Sequence, residues 1–341
     1  MSNDAIALDV KQLSARFASP NGQIHAVTDV TLQVRRGETL ALVGESGSGK
    51  SVTSLSLMRL LDSRAQLSGQ AWVHADSMPA VDLLALSEKQ MLQMRGNRIS
   101  MVFQEPMTSL NPVQRIGRQV EEALTIHGAG KRGDTRARAI ELLGKVGISD
   151  PASRARQYPH QLSGGMRQRV MIAIALACEP TVLLADEPTT ALDVTIQAQI
   201  LHLLRKLQRE EGMAVVFITH DMGVVAQIAD RVAVMYGGQI VETAPTAELF
   251  AAPKHPYTRA LLDSIPRPSD GGVLRGIPGQ IEAIVGAPKG CRFANRCPRA
   301  EARCSVEVPV ESHVSAIHSV RCHFWQRDGE GLKKDERYED R

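Results

Sequence analysis

The apolar run Thr39–Val43 leads straight into Gly44-Glu45-Ser46-Gly47-Ser48-Gly49-Lys50-Ser51, and a helical pattern follows from Ser51 to Leu61. Strand, glycine loop and helix in that order leave few folds open. Glycines let a backbone wrap closely around phosphate groups with successive N–H groups pointing inward. The helix that follows adds its N-terminal dipole. Lys50 can reach β- and γ-phosphates, and the Ser51 hydroxyl suits Mg²⁺. Gly44, Glu45, Ser46, Gly47, Ser48, Gly49, Lys50 and Ser51 are therefore candidate nucleotide-binding residues.

Two further short apolar runs, Thr181–Ala185 and Ala214–Ile218, suit strands buried on both faces of a parallel sheet. The first ends in Asp186 and Glu187, and carboxylates at that end of a strand sit where such sheets bind ligands. Asp186 is placed to hold Mg²⁺, directly or through water. Glu187 is placed to orient or deprotonate an attacking water. Ser163 can cap a helix running through Val170 to Cys178, and Gly164 and Gly165 expose N–H groups at its start. That makes a second anion site. One nucleotide does not need two such helix starts from one subunit, but two subunits facing head-to-tail would use both. Asp193 can cap the next helix, whose apolar residues recur as Ile196, Ile200, Leu203 and Leu207. Val232–Tyr236, Gly237-Gly238 and Gln239–Glu242 read as a hairpin. Between about 88 and 178, two helical patterns flank a Gly/Lys/Arg-rich loop near 128–134.

The chain has 341 residues, enough for about two domains. Its 40 Lys+Arg against 37 Asp+Glu give no basic excess of the kind a nucleic-acid binder shows. No apolar run approaches the roughly 20 residues that span a bilayer. Met1–Asp4 begins neither a basic nor an apolar leader, so a cytosolic chain is expected. Cys178 stands alone in an apolar stretch and reads as a core residue. Cys291, Cys297, Cys304 and Cys322 cluster late, in a stretch rich in proline and glycine. In a reducing compartment such a cluster reads as metal or cluster ligation before disulfides. There is no C-x2-C pair, so spacing leaves zinc, an iron–sulfur cluster and unligated thiols open, with His313, His318 and His323 as alternative ligands. The charged tail from Asp328 reads as disordered.

As a set, these motifs resemble the ATP-binding cassette (ABC) ATPases. Gly44–Ser51 matches their Walker A motif, Leu183–Glu187 their Walker B and Ser163-Gly164-Gly165 their signature. Gln104, in Val102-Phe103-Gln104-Glu105-Pro106, matches the Q-loop glutamine, Ala191-Leu192-Asp193 the D-loop and His220 the switch histidine. Phe17 falls where the family places an adenine-stacking aromatic, more commonly Tyr. The resemblance implies an α/β P-loop ABC ATPase with a mixed sheet core, an antiparallel β subdomain and a helical subdomain. It implies Mg²⁺ on Ser51, Gln104 and Asp186, and catalysis by Glu187, His220 and Lys50. It also places Asp193 among the nucleotide-binding residues.

Ile277-Pro278-Gly279, Gly290-Cys291-Arg292-Phe293, Arg296-Cys297-Pro298 and Arg321-Cys322-His323 resemble the C-terminal extension of dipeptide/oligopeptide importer ATP-binding subunits, closest to the dipeptide-transporter D subunits. Tyr158-Pro159-His160-Gln161, Met107-Thr108-Ser109-Leu110-Asn111-Pro112 and His255-Pro256-Tyr257-Thr258 share that style. Members carry a four-cysteine [4Fe–4S] site there, which assigns Cys291, Cys297, Cys304 and Cys322 to a cluster, with zinc the alternative. The implied organisation is a cassette at 1–265 with its helical subdomain at about 88–178, a four-cysteine extension at 266–327 and a tail at 328–341. The implied activity is ATP hydrolysis that powers import of dipeptides or oligopeptides. Implied partners are a homologous second ATP-binding subunit, two transmembrane permease subunits and, indirectly, a substrate-binding protein. The expected place is the cytoplasmic face of a bacterial inner membrane, with no nucleic acid. Importers of nickel or other small solutes are an alternative. Soluble ABC ATPases of DNA repair or translation carry a long coiled-coil insertion or a second cassette, and this sequence has neither.

Overall fold

The computed structural model describes residues 5–20, 22–75, 79–104, 109–128, 134–190, 192–265, 276–282, 284–286 and 289–327. Among them run twelve strands: β1 (Ile6–Ser19), β2 (Gly22–Arg35), β3 (Thr39–Val43), β4 (Ala65–Val73), β5 (Val81–Asp82), β6 (Ile99–Val102), β7 (Val182–Asp186), β8 (Ala214–Thr219), β9 (Arg231–Tyr236), β10 (Gln239–Pro245), β11 (Ser312–Ser315) and β12 (His318–Val320). The chain divides into two compact units built from separated segments. The first comprises Met1–Asp9, Gln33–Thr39 and Gln70–Ile218; the second comprises Val10–Leu32, Leu40–Gly69 and Thr219–Arg341. The strands β2, β1, β4 and β5, in that spatial order, run through segments of both units. Along β2, buried Val30, Leu32 and Val34 alternate with exposed Thr31 and Gln33, the period of a sheet with one covered face.

In the first unit β6, β7 and β8 pair in parallel, with Val182 opposite both Ile99 and Ala214. Every residue of β6 and β7 is buried, as suits strands that are apolar apart from Ser100 and the terminal Asp186. The strand β6 lies inside the stretch read as helical; at four residues it is too short to show a period of its own. The helices Ile116–Ile126, Thr135–Lys145 and Gly164–Ala175 pack on one another. Most of the loop near 128–134 lies outside the described residues. Asp193 caps the helix Val194–Glu211 by accepting the Ile196 N–H at 2.9 Å. Ile200, Leu203 and Leu207 are buried on that helix, and Ile196 is half-buried. The helix stops at Gly212, whose φ of 62° is left-handed. Cys178 is half-buried rather than enclosed in the core, with its thiol donating to the Ala123 carbonyl at 3.7 Å.

In the second unit β3 pairs in parallel with β9, and β9 turns through Gly237-Gly238 into antiparallel β10. The helix after the glycine loop spans Lys50–Leu57, shorter than its apolar pattern, because Arg59 takes a left-handed φ of 50°. β12 adds to β10 and β11 to β12, both antiparallel, so the late segment supplies two strands to the sheet. Its sequence shows only loops, because strands of three and four residues carry too little pattern. Glu242 roots this edge. Its carboxylate accepts from the Lys254 and His255 N–H groups at 2.7 and 2.9 Å and meets His318 Nε2 at 2.9 Å. Burial alone would raise the Glu242 pKa, but hydrogen bonds from His318, Thr258 and these two amides lower it below the usual value. The tail from 328 and the linker residues 266–275 lie outside the described residues. Among the described residues no helix is long and apolar enough to cross a membrane.

His255 is buried and caps the helix Pro256–Asp263, its Nδ1 accepting the Tyr257 N–H at 3.0 Å. Burial lowers its pKa from 6.5 to about 4. The unfolded chain thus binds a proton here at a higher pH than the folded one. The resulting stability is fully present above pH 6.5 and is lost as the pH falls through about 4. The thermal unfolding midpoint should fall across that window. His255→Asn keeps an acceptor for the Tyr257 N–H and should flatten the fall; an unchanged pH profile in that variant would exclude His255 as its source.

Candidate nucleotide site

Backbone packed against backbone shapes the glycine loop in the second unit. A Cβ on Gly49, at φ 104°, would lie 2.8 Å from the Ala26 carbonyl oxygen. A Cβ on Gly44 would lie 2.2 Å from the Met235 carbonyl oxygen. The Gly238 N–H donates to the Ser48 carbonyl at 2.7 Å, which ties the β9–β10 turn to the loop. Lys50 is buried, and its ammonium donates to the Gly44 and Glu45 carbonyls at 2.8 and 2.9 Å. The Ser48 hydroxyl is buried without a hydrogen-bond partner among the described residues. A cationic group and an unsatisfied hydroxyl are what a phosphate chain would satisfy. Ser51 lies half-buried in the first helical turn. His220 is exposed directly after β8, and Phe17 is half-buried on β1.

The first unit carries the acidic residues. Asp186 closes β7 and is 4% exposed. Glu187 follows at φ 46°, a left-handed conformation that costs a non-glycine residue roughly 1–2 kcal/mol. Its carboxylate oxygen Oε2 accepts from Gln104 Nε2 at 3.1 Å and from the Thr190 hydroxyl at 2.9 Å. The fold therefore brings together Gln104 and Glu187, 83 residues apart, as one hydrogen-bonded pair. Glu105–Thr108 and Ala191 lie outside the described residues. Ser163 caps the helix Gly164–Ala175, accepting the Met166 N–H at 3.3 Å. A Cβ on Gly165 would stand 2.6 Å from Ile196 Cγ2, so this helix start and the one capped by Asp193 pack closely.

The four late cysteines, all in the second unit, line one cavity with His255, Phe293, His323 and Phe324. The Cys291 N–H donates to the Cys304 carbonyl at 2.7 Å, closing the segment around it. Burial, followed by the charges of neighbouring cysteines, pushes the Cys291 thiol up to about 11. Burial likewise pushes Cys297 up to about 12 and raises Cys322. His318 is engaged by Glu242, His323 Nε2 meets the Glu307 carbonyl at 2.9 Å, and His313 is exposed on β11. Four thiols lining one cavity are of the ligand type that an iron–sulfur cluster takes. Among the described residues, no group of three or more His, Cys, Asp or Glu stands close enough to hold a metal ion.

The sequence reading missed three residues. The Tyr257 hydroxyl accepts the Glu45 N–H at 2.8 Å. Arg296 forks onto the Glu45 carboxylate, and Arg292 donates to the Gly237 carbonyl. Nothing in a linear pattern joins position 45 to position 296.

Residues 27–190 match the family model described as ABC transporter, and residues 241–304 match the C-terminal region of oligopeptide/dipeptide transporters. A Brucella melitensis ATP-binding chain named for peptide import is 53% identical over 94% of this chain and 97% of its own length. The dipeptide transport ATP-binding protein DppD of Escherichia coli K12 is 47% identical over 93% of this chain and 96% of its own. This chain belongs to the peptide-importer ATP-binding subunits of the ABC transporter family. The ATP-binding cassette MJ0796, solved as a dimer bound to ADP and Pi, is similar at a TM-score of 0.61 and 30% identity, over 70% of this chain and 98% of that one. The chain is an ABC ATPase, with mixed parallel and antiparallel strands as its motifs imply.

Gly44→Ala and Gly49→Ala should each reshape the loop, at roughly 1–3 kcal/mol of backbone strain. Both should lower the unfolding midpoint and abolish binding of a fluorescent ATP analogue. Wild-type behaviour in both assays would contradict the close approaches described above.

Proposed function

We propose that this chain is the ATP-hydrolysing subunit of a dipeptide or oligopeptide importer. It works beside a homologous second ATP-binding subunit, on the cytoplasmic face of a bacterial inner membrane. Two permease subunits carry the substrate, delivered by a substrate-binding protein. The observation that carries this reading is the presence on one chain of a Walker-type cassette and the C-terminal region found in oligopeptide/dipeptide transporters. The dimeric state of the MJ0796 cassette supports a paired arrangement.

Lys50 leaves the Gly44 and Glu45 carbonyls for the β- and γ-phosphates, which the loop amides and the helix N-terminus also receive. Phe17 stacks on the adenine. Ser51, Gln104 and Asp186 would hold Mg²⁺, whose charge neutralises the phosphate oxygens. Glu187 takes the proton of the attacking water as its oxygen bonds to the γ-phosphorus and the bond to ADP breaks. Gln104 and Thr190, which already hold the Glu187 carboxylate, fix the direction in which it accepts. His220 contacts the γ-phosphate. Ser163, Gly164 and Gly165 of each subunit, with Asp193 beside them, complete the partner's site, so binding closes the pair and hydrolysis reopens it. Cys291, Cys297, Cys304 and Cys322 would hold a [4Fe–4S] cluster, which would staple the late segment.

Glu187→Gln should retain ATP binding in the assembled transporter and lose turnover; hydrolysis at the wild-type rate would remove Glu187 from this role. Protein purified without oxygen should carry about four irons per chain and absorb near 400 nm. A colourless chain holding one zinc would overturn the cluster.

A further inference from the structure

The segment from Cys291 to Cys297 carries three side chains directed at the phosphate loop and its supports. Arg292 donates to the Gly237 carbonyl, next to the Gly238 amide that holds Ser48 at 2.7 Å. Phe293 packs on Tyr236 and Tyr257 with ring centroids 5.1 and 5.4 Å apart, and Tyr257 holds the Glu45 N–H. Arg296 reaches the loop itself. Its Nη1 donates to Glu45 Oε2 at 2.8 Å and its Nη2 to Glu45 Oε1 at 3.2 Å. The Arg296 side chain is only 5% exposed. Its other donors are taken by the Pro278, Ile277 and Gly279 carbonyls at 2.7, 3.1 and 3.2 Å and by the Tyr236 hydroxyl at 3.4 Å. A guanidinium that donates to three backbone carbonyls and a hydroxyl as well as to the carboxylate is restrained in orientation. It therefore holds Glu45, whose own carbonyl accepts from Lys50.

We propose that Arg296 is a positioning residue for ATP binding, which fixes Glu45 and through it the phosphate loop in the shape that receives the nucleotide. It also neutralises a carboxylate that would otherwise stand uncompensated on a loop meant for phosphates. A partly buried bidentate pair of this kind is geometrically specific. The inference rests on Gly44–Ser51 being the nucleotide loop.

The test measures the affinity of the full-length chain for mant-ATP with Mg²⁺. Arg296→Gln should weaken binding about tenfold, the scale of one charge-assisted pair. Arg296→Lys keeps the charge and should recover part of that loss. Glu45→Gln leaves the cysteine segment whole and should weaken binding less than Arg296→Gln, since no bare carboxylate remains. The double variant Glu45→Gln/Arg296→Gln should bind no more weakly than Arg296→Gln alone, because both act through one contact. A purely structural role for Arg296 gives no such recovery. Affinities within about twofold of wild type in both single variants, or effects that simply multiply in the double, would overturn the proposal. If Arg296→Gln does not fold, wild-type affinity in Glu45→Gln overturns it. Lys50→Ala separates the two readings: loss of binding supports the loop assignment, so that unchanged affinity in the Arg296 and Glu45 variants then counts against the role of Arg296 alone, whereas retained binding defeats the loop assignment and the proposal with it.

Discussion

The phosphate loop depends on contacts that leave no room for a side chain. Gly49 lies against the Ala26 carbonyl, and Gly44 lies against the Met235 carbonyl at the end of β9. A loop packed so closely has its curvature set by its neighbours rather than by its own sequence. The surrounding second unit can be understood from that need. Parallel pairing of β3 with β9 sets where the loop leaves the sheet, and the Gly237-Gly238 turn holds it from beneath through the Ser48 carbonyl. The aromatic cluster of Tyr236, Tyr257 and Phe293 then fills the space behind it.

The parts of this design that follow a local rule were legible in the sequence. The glycine loop, the caps at Ser163 and Asp193, the buried run of β7 and the β9–β10 hairpin each depend on residues a few positions apart. Physical chemistry fixes such spacings, so they can be read without a fold. The pair Gln104 and Glu187 was legible only as two members of a motif set. The hydrogen bond between them depends on β6 and β7 lying side by side, which neither residue announces. Tyr257 and Arg296 were not legible as partners of Glu45. An aromatic hydroxyl and a guanidinium have ordinary surface uses, and only the tertiary fold brings them to an amide and a carboxylate more than 200 positions away.

The late segment shows the same limit from the other side. Its composition reads as loops, yet β12 is stitched to β10 and anchored by a buried carboxylate–histidine contact. Glu242 stands where a strand residue would normally be apolar. Its burial is tolerated because two backbone amides and His318 satisfy its oxygens. Removing His318 would leave a charge buried with fewer partners, which is why such a latch holds a small, loop-rich segment to a sheet more firmly than its modest apolar area could.

Attachment at one edge would still leave the cysteine-lined cavity remote from the chemistry if the segment hung freely. It does not, because Cys291 and Cys297 bracket Arg292, Phe293 and Arg296 within one short turn. The thiols and Phe293 line the cavity, while Arg292 and Arg296 reach the supporting turn and the phosphate loop. A seven-residue segment held at both ends has little freedom to move one set of side chains without the other. The thiols and the guanidinium are thus carried by one short piece of chain. The cysteines are therefore better regarded as part of the wall behind the phosphate loop than as a separate appendage to the cassette.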